Sequence, residues 1–171
     1  MQTGSVTSML EERPAWLVPA AISIFSTAML GAAFAFQYLG GLAPCVLCLY
    51  QRWPHAAAIL LGLLALAVSA HNPSASRWLT VVGGLALLAS AGIGLFHVGV
   101  EQLWWEGTAE CGATGTPDSL EALKQQLMAQ PVVRCTDIAW EMFGISMAGY
   151  NFLLSAAVGL AAIALSLGGR R

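Results

Sequence analysis

Residues 78–100, WLTVVGGLALLASAGIGLFHVGV, contain no Asp, Glu, Lys or Arg, and the segment is bounded by Arg77 and Glu101. A helix needs roughly 20 residues to cross a hydrocarbon core of about 30 Å, and this segment is long enough. Within lipid every backbone N–H and C=O group must be paired with another group of the protein, and an α-helix is the structure that achieves this within a single segment. The segment therefore predicts a transmembrane helix.

Three more uncharged windows surround this one, at residues 14–51, 53–76 and 142–169. Together the four windows predict an all-α membrane protein, a single integral-membrane domain over residues 1–171 that folds as a four-transmembrane-helix bundle. We place the spans near 16–39, 54–70, 78–100 and 145–167, with outer loops at 40–53 and 101–143 and a turn at 71–77 in which Pro73 acts as a helix stopper.

The second outer loop contains a helical pattern of its own. Thr116, Pro117 and Asp118 are typical of a helix start. Apolar residues then recur at helical spacing until Pro131, and they are Leu120, Leu123, Leu127 and Met128. This pattern predicts a short amphipathic helix that rests on the membrane surface.

The composition excludes several classes of protein. Only 9% of the residues are charged, where soluble domains have about 25%, and the mean hydropathy is +0.70. Seven Lys and Arg residues in total provide no cationic surface for nucleic acid. The chain is therefore neither an ordinary soluble enzyme, nor a disordered segment, nor a nucleic-acid-binding protein.

The distribution of basic residues predicts the orientation in the membrane. The termini and the 71–77 turn contain Arg13, Arg77, Arg170 and Arg171, whereas the two outer loops contain Arg52, Lys124 and Arg134 together with most of the acidic residues. Because basic residues concentrate on the cytoplasmic side, both termini are predicted to be cytoplasmic. Glu11 and Glu12 precede the first span, so we expect a retained helix rather than a cleaved signal peptide.

The four cysteines, Cys45, Cys48, Cys111 and Cys135, all fall in the outer loops. Three pairings are formally open to four thiols, and an oxidising compartment favours two disulfides, Cys45–Cys48 and Cys111–Cys135. Purely structural bridges would explain the second pair, because closing a loop of about 25 residues stabilises a fold by about 3 kcal/mol. They explain the first pair badly, since Cys-x-x-Cys pairs are typical of disulfides that are made and broken. A Cys₄ zinc site is a further alternative, although the second pair lacks the usual knuckle spacing.

The surroundings of the first cysteine pair favour redox chemistry. Cys48 is expected in the first turn of the second span, with Arg52 four residues further on the same helix face. A helix N-terminus and a nearby cation both stabilise a thiolate, although Arg52 could also be an interfacial arginine that extends toward water. The sequence contains no dinucleotide-binding fingerprint and no paired intramembrane histidines for haem. The electron acceptor is therefore expected to be external or dissolved in lipid, which indicates a quinone.

Two further segments contain polar or small residues at span ends. His97, at the outer end of the third span, could donate to a quinone carbonyl with Glu101 orienting it, or could be an ordinary interfacial histidine. In the fourth span, Gly144, Ala148 and Gly149 are expected to allow close helix contact. Asn151 is expected to form a hydrogen bond between helices.

Pro44-Cys45-Val46-Leu47-Cys48 followed by Tyr50-Gln51-Arg52 resembles the signature of the disulfide bond formation protein B (DsbB) family. Residues 143–151, FGISMAGYN, are also similar to family sequence. The family consists of thiol–quinone oxidoreductases of the bacterial inner membrane whose redox loops face the periplasm. Some members have an acidic residue where this chain has Gln51.

The resemblance implies roles for individual residues. Cys45, Cys48, Cys111 and Cys135 would be catalytic, and Cys48, Arg52 and His97 would bind the quinone, which is ubiquinone or menaquinone. A soluble periplasmic thioredoxin-fold oxidase of the DsbA type would attack Cys111, and electrons would pass through a transient Cys45–Cys135 bridge to the lipid quinone pool.

Two alternatives come from other classes. A quinone reductase of the vitamin K epoxide reductase type also has four helices and a Cys-x-x-Cys, but there the Cys-x-x-Cys follows the loop pair in the chain. A non-enzymatic membrane scaffold with structural disulfides would tolerate loss of Cys48. An ion-coupled transporter is disfavoured because no acidic or basic residue lies deep in a predicted span.

Overall fold

Four long helices make up most of the computed structural model, which describes residues 14–111, 119–121, 124 and 133–168. Helices α1 to α4 are Leu17–Tyr38, Val46–Val68, Pro73–Glu101 and Met147–Gly168. Each is long and apolar enough to cross a membrane. The predicted four-helix bundle is thereby confirmed, and α1 and α4 lie within two residues of the predicted spans at both ends.

Helix α2 begins before the predicted start at residue 54, so that it takes in the second half of the predicted 40–53 loop. Cys45 is its N-cap residue, and the Cys45 Sγ atom accepts a hydrogen bond from the backbone N–H of Cys48 at 3.2 Å. Pro54 lies inside the helix and has no N–H to donate. Beside it the Ser90 hydroxyl donates to the carbonyl of Gln51 at 3.1 Å. A side chain of the neighbouring helix thus supports the backbone where proline disturbs it.

Helix α3 also begins earlier than predicted, at Pro73 rather than residue 78. Asn72 caps it, because its Oδ1 atom accepts a hydrogen bond from the N–H of Ala75 at 3.0 Å. The interpretation of Pro73 as a helix stopper was wrong, since α2 already ends at Val68 and Pro73 occupies the first turn of α3. A proline is well suited to that position because the first N–H groups of a helix have no intrahelical acceptor.

Helix α3 lies at the centre of the bundle and packs chiefly against α2 and α4, while α1 packs chiefly against α2. Glycines permit the closest approach of α3 and α4: a Cβ atom added at Gly159 would lie 2.9 Å from the carbonyl oxygen of Gly84. The interior contains polar side chains such as Ser90 and Ser155, which are fully buried. Large apolar side chains such as Leu60, which is 64% exposed, cover the outside. This distribution is that of a bundle whose surface faces lipid.

A small hairpin precedes α4 and is an addition to the all-α prediction. Its strands β1, Glu141–Met142, and β2, Ile145–Ser146, pair in antiparallel fashion. The turn residues Phe143 and Gly144 have φ angles of 54° and 74°, as a two-residue hairpin with the right-handed strand twist requires. The expectation that Gly144 serves helix contact is therefore wrong, because a Cβ atom there would meet nothing within 4 Å.

The other small residues of the fourth span do lie at a helix contact. Ala148 and Gly149 are buried in the first turn of α4. A Cβ atom added at Gly94 of α3 would lie 3.1 Å from the carbonyl oxygen of Ala148. The close contact expected there is confirmed for these two residues.

Most of the predicted amphipathic helix lies outside the described residues. Helical backbone is found at Leu120, Glu121 and Lys124, and these three side chains are exposed. Leu123, Leu127 and Met128 are among the residues that the structure does not describe.

Candidate redox site

The Cys-x-x-Cys pair lies at the N-terminus of α2, where the helix begins. Cys45 and Cys48 are free thiols, and their sulfur atoms are 2.8 Å apart. Cys45 is buried and Cys48 is half-buried. The hydrogen bond to Cys48, together with burial, raises the pKa of the Cys45 thiol. Cys45 is therefore harder to ionise than an ordinary cysteine.

Arg52 lies one turn after Cys48 on the same face of α2, as the spacing predicted. Its Nη1 atom donates to Oε1 of Gln37 on α1 at 2.7 Å, and its guanidinium carbon is 5.0 Å from the centre of the Phe34 ring. The Nε atom is buried and has no hydrogen-bond partner among the described residues. A positive charge with a spare donor is thus held beside the cysteine pair.

His97 lies in the last turns of α3 and is almost completely buried. Its Nε2 atom is 3.5 Å from Sγ of Cys45 and 3.8 Å from a carboxylate oxygen of Glu101. Its Nδ1 atom is 3.0 Å from Nε2 of Gln51. Glu101 in turn accepts a hydrogen bond from Ser146. The contact between His97 and Glu101 agrees with the predicted orienting role, although His97 also touches Cys45 directly.

The second cysteine pair forms a disulfide. Cys111 and Cys135 are bridged, with 5.1 Å between their Cα atoms, so two of the four thiols that a Cys₄ zinc site needs are taken up. Both residues pack in one apolar cluster with Cys45 and Val100. Cys135 is completely buried, whereas Cys111 is 7% exposed. The fold thus brings the two pairs, which are far apart in the sequence, into one apolar cluster.

A further contact connects the loop that contains Cys111 with α2. Tyr50, in the second turn of α2, donates a hydrogen bond to the carboxylate of Glu110, the residue that directly precedes Cys111. This bond holds that end of the loop pair beside the N-terminal turns of α2.

A cavity of about 170 Å³ lies beside the Cys-x-x-Cys pair and is lined by residues from all four helices. Most of the lining is apolar, with side chains such as Leu30 and Phe36 from α1. Its polar lining includes Cys48, Arg52 and His97. The three residues that the sequence assigned to quinone binding therefore face one cavity.

Sequence reasoning gave no site role to three further polar residues of this cavity, namely Gln51, His55 and Asn151. Gln51 and His55 follow Cys48 by three and seven residues, so the helical spacing could have revealed them. Asn151 was expected only to connect helices, and its Nδ2 atom does donate to Oε1 of Gln51 at 2.7 Å. Only the tertiary structure places it at the cavity.

The site also offers ligands for a metal ion. The Sγ atoms of Cys45 and Cys48 and a ring nitrogen of His97 all lie within 4.8 Å of one another. Two thiolates and an imidazole are ligands that zinc and other thiophilic metals prefer. In its reduced form the pair could therefore hold such an ion, in competition with redox chemistry.

Comparisons with known proteins point to one family. Residues 12–165 match the family described as Disulfide bond formation protein DsbB. The chain is 30% identical to Disulfide bond formation protein B of Hahella chejuensis, over 88% of this chain and 93% of the relative. It is also 30% identical to the protein of that name from Azoarcus, over 92% and 94%.

A third relative, an uncharacterized protein of Rickettsia prowazekii, is 31% identical over 81% of this chain and 78% of its own length. No solved structure matches the chain significantly. The family match covers almost the whole chain, including all four cysteines, the whole of α1 to α3 and α4 as far as residue 165. The chain therefore belongs to the disulfide bond formation protein B (DsbB) family, whose members are membrane proteins that act in disulfide bond formation.

Proposed function

We propose that the chain is a thiol–quinone oxidoreductase that reoxidises a soluble periplasmic oxidase of the DsbA type and passes the electrons to a membrane quinone. The main support is that the two cysteine pairs share one apolar cluster and that Cys45 and Cys48 also line an apolar cavity. A structural disulfide alone would need neither the second pair nor the cavity. We place the protein in the bacterial inner membrane, with both termini cytoplasmic and the cysteines on the periplasmic side, as the distribution of arginines indicates.

In the first step a thiolate of the reduced partner attacks the Cys111–Cys135 disulfide. Cys111 is the more accessible sulfur, since Cys135 is completely buried. A mixed disulfide with Cys111 forms and Cys135 leaves as a thiolate. The second thiol of the partner then attacks the mixed disulfide, so that the partner gains a disulfide and this chain gains two thiols.

In the second step the electrons move between the two pairs. Cys135 attacks Cys45 of an oxidised Cys45–Cys48 pair, and the bridge Cys45–Cys135 releases Cys48 as a thiolate. Cys111 then attacks Cys135, which restores Cys111–Cys135 and releases Cys45. The packing of Cys45, Cys111 and Cys135 in one cluster supports this route. The structure has the thiols and the disulfide of the state that follows this exchange.

In the third step the Cys45–Cys48 dithiol is oxidised, and the quinone accepts two electrons and two protons to become the quinol. Arg52 provides a positive charge and a spare N–H donor at the cavity. The Cys45 thiol gives up its proton as the Cys45–Cys48 bond forms. His97 positions Cys45 through its Nε2 atom. Either ubiquinone or menaquinone is compatible with this scheme.

The test is a reconstituted reaction. Purified chain is mixed with a reduced dithiol partner and a soluble quinone, and quinone absorbance is followed over time. We expect turnover with the unaltered chain and none with Cys48→Ser. A Cys48→Ser variant that still turns over would contradict the proposal and favour the scaffold hypothesis. The order of the pairs, with Cys-x-x-Cys first, disfavours the vitamin K epoxide reductase type.

A further inference from the structure

A row of buried polar side chains crosses the bundle beside the cavity. It consists of His97 on α3, Gln51 and His55 on α2, and Asn151 on α4, which we call the polar row. Each of the four is more than nine-tenths buried, and each lines the cavity. Polar groups at such positions in a membrane bundle are costly unless each donor and acceptor finds a partner.

Two backbone carbonyls fix the orientation of both amides in the polar row. Nε2 of Gln51 donates to the carbonyl of Leu47 at 3.2 Å, and Nδ2 of Asn151 donates to the carbonyl of Ser90 at 3.2 Å. Because a backbone carbonyl can only accept, the nitrogen of each amide must face it. The oxygen of the Asn151 amide therefore points the other way, where Nε2 of His55 lies 2.9 Å distant.

This orientation determines which nitrogen of His55 has the hydrogen. The Asn151 oxygen can only accept, so Nε2 of His55 must donate to it. Within the described part of the chain no carboxylate lies within ion-pair distance of His55, so burial favours the neutral ring. In the neutral ring Nδ1 then has a lone pair and no hydrogen.

The Nδ1 atom of His55 is left without a partner. The side chain is 97% buried, and among the described residues nothing forms a hydrogen bond with Nδ1. Buried polar atoms are rarely left in this condition, and on a side chain that lines a cavity such an atom points to a missing O–H or N–H donor.

His55 also has a suitable position relative to the reacting groups. Cys48, Arg52 and His55 follow one another at spacings of four and three residues on one face of α2. At a rise of about 1.5 Å per residue, His55 lies about 4.5 Å beyond Arg52 along the helix axis and about 10 Å beyond Cys48. A ring held with one oxygen at Arg52 would direct its opposite oxygen toward His55.

We propose that Nδ1 of His55 accepts a hydrogen bond from a hydroxyl group of the quinol, so that this end of the cavity distinguishes reduced from oxidised ligand. The inference rests on the proposed function and adds a recognition residue to the same site. A quinol hydroxyl can donate to the lone pair of Nδ1. A quinone carbonyl oxygen has lone pairs but no hydrogen, so it cannot donate to Nδ1, and the lone pairs of the two atoms repel each other. His55 thereby stabilises the product of the proposed reaction rather than its substrate.

The test measures equilibrium binding to the full chain with Cys48→Ser, which blocks turnover. Three ligands are compared: a short-chain benzoquinone, its quinol, and the dimethyl ether of the quinol, which has no O–H. We expect the quinol to bind more tightly than both others. His55→Gln keeps a donor for Asn151, but its one acceptor is the oxygen of the same amide group and is not fixed at the position of Nδ1. We expect this variant to weaken quinol binding about tenfold, the effect of one hydrogen bond. Quinone binding should change less than about twofold, as expected for a group that gives it no hydrogen bond.

Ser155→Ala is the matched control, because Ser155 donates to the same Asn151 oxygen at 3.0 Å and does not line the cavity. It should leave the ratio of quinol to quinone affinity unchanged. Equal binding of quinol and ether would mean that water satisfies Nδ1, and equal weakening of all three ligands by His55→Gln would mean a structural role; either result overturns the inference.

The comparison of quinol with ether needs no His55 variant, so it decides the question even if His55→Gln does not fold. Turnover is measured separately with Cys48 intact. A chain that reduces quinone yet shows no quinol preference overturns this inference alone. Absence of turnover with Cys48 intact overturns the proposed function, on which this inference rests.

Discussion

The Nε2 atom of His97 lies 3.5 Å from the Sγ atom of Cys45, although the two residues are 52 positions apart in the sequence. The Nδ1 atom of the same ring lies 3.0 Å from Nε2 of Gln51. One imidazole thus contacts both the first cysteine pair and an amide of the polar row.

Replacement of Arg52 should impair the quinone step selectively. Arg52→Ala removes a charge and a donor from the cavity, and hydrogen bonds to charged groups contribute about 1.5–3 kcal/mol. We expect kcat/KM for quinone to fall about 10- to 100-fold, while the far-ultraviolet circular dichroism stays unchanged. Gln37→Ala is the control, because it removes the partner of Arg52 Nη1 and a polar group of the cavity but leaves the positive charge in place, so it should have a smaller effect. Unaltered quinone kinetics in Arg52→Ala would remove this residue from the site.

Loss of Cys135 should trap the partner protein. In Cys135→Ser, Cys111 is a free thiol, and its thiolate can attack the disulfide of the oxidised partner to form a mixed disulfide while releasing the partner's second thiol. Cys135 is then absent and cannot displace the partner, so only the partner's own second thiol can reverse the bond. We expect an adduct on a non-reducing gel that disappears on reduction. Cys111→Ser should form none, since Cys135 is completely buried. An adduct that forms equally well with Cys111→Ser would show that Cys135 is the attacked sulfur.

Cys45 should become reactive at a higher pH than an ordinary cysteine thiol does. Its pKa is raised by the hydrogen bond to Cys48 and by burial, and only the thiolate reacts with iodoacetamide. The labelled fraction of Cys45 in the reduced chain should therefore stay small up to pH values at which a free thiol is largely ionised. The readout is mass spectrometry after short labelling at a series of pH values.

Cys48→Ser serves as the comparison for that experiment. The variant removes the sulfur partner and the negative charge that disfavour the Cys45 thiolate. Labelling of Cys45 should then begin at lower pH than in the unaltered chain. An identical pH profile in both proteins would contradict the assigned cause of the raised pKa.

Because α3 and α4 are closely packed at Gly159, even the substitution Gly159→Ala should destabilise the protein. A Cβ atom at Gly159 would lie 2.9 Å from the backbone oxygen of Gly84. A backbone atom cannot move away by rotation about side-chain bonds. Gly159→Ala should lower the free energy of unfolding by about 1–3 kcal/mol. Thermal unfolding in detergent micelles measures the change.

Gly92→Ala provides the opposite case on α3. A Cβ atom at Gly92 would meet nothing within 4 Å, and alanine favours the helix by up to about 1 kcal/mol relative to glycine. This variant should be as stable as the unaltered chain or more stable. Equal destabilisation by both substitutions would show that the α3–α4 contact is looser than the structure indicates.

The sequence by itself determined the four helices, because uncharged segments of that length have only one way to satisfy their backbone in lipid. It also placed Arg52 beside Cys48, since residues four apart on a helix share a face. The sequence placed the starts of α2 and α3 too late, at residues 54 and 78 instead of Val46 and Pro73. Cys45 and Asn72 cap these two helices ahead of the predicted spans.

Only the tertiary structure decided which distant residues meet. His97 on α3 contacts Cys45 at the start of α2. His55 on α2 contacts Asn151 on α4. No local periodicity encodes such pairings, because they depend on how the helices rotate and slide against one another at glycines such as Gly84 and Gly159. The direction of the hydrogen bonds follows from backbone carbonyls on two helices, so the free acceptor on His55 exists only once the bundle has assembled.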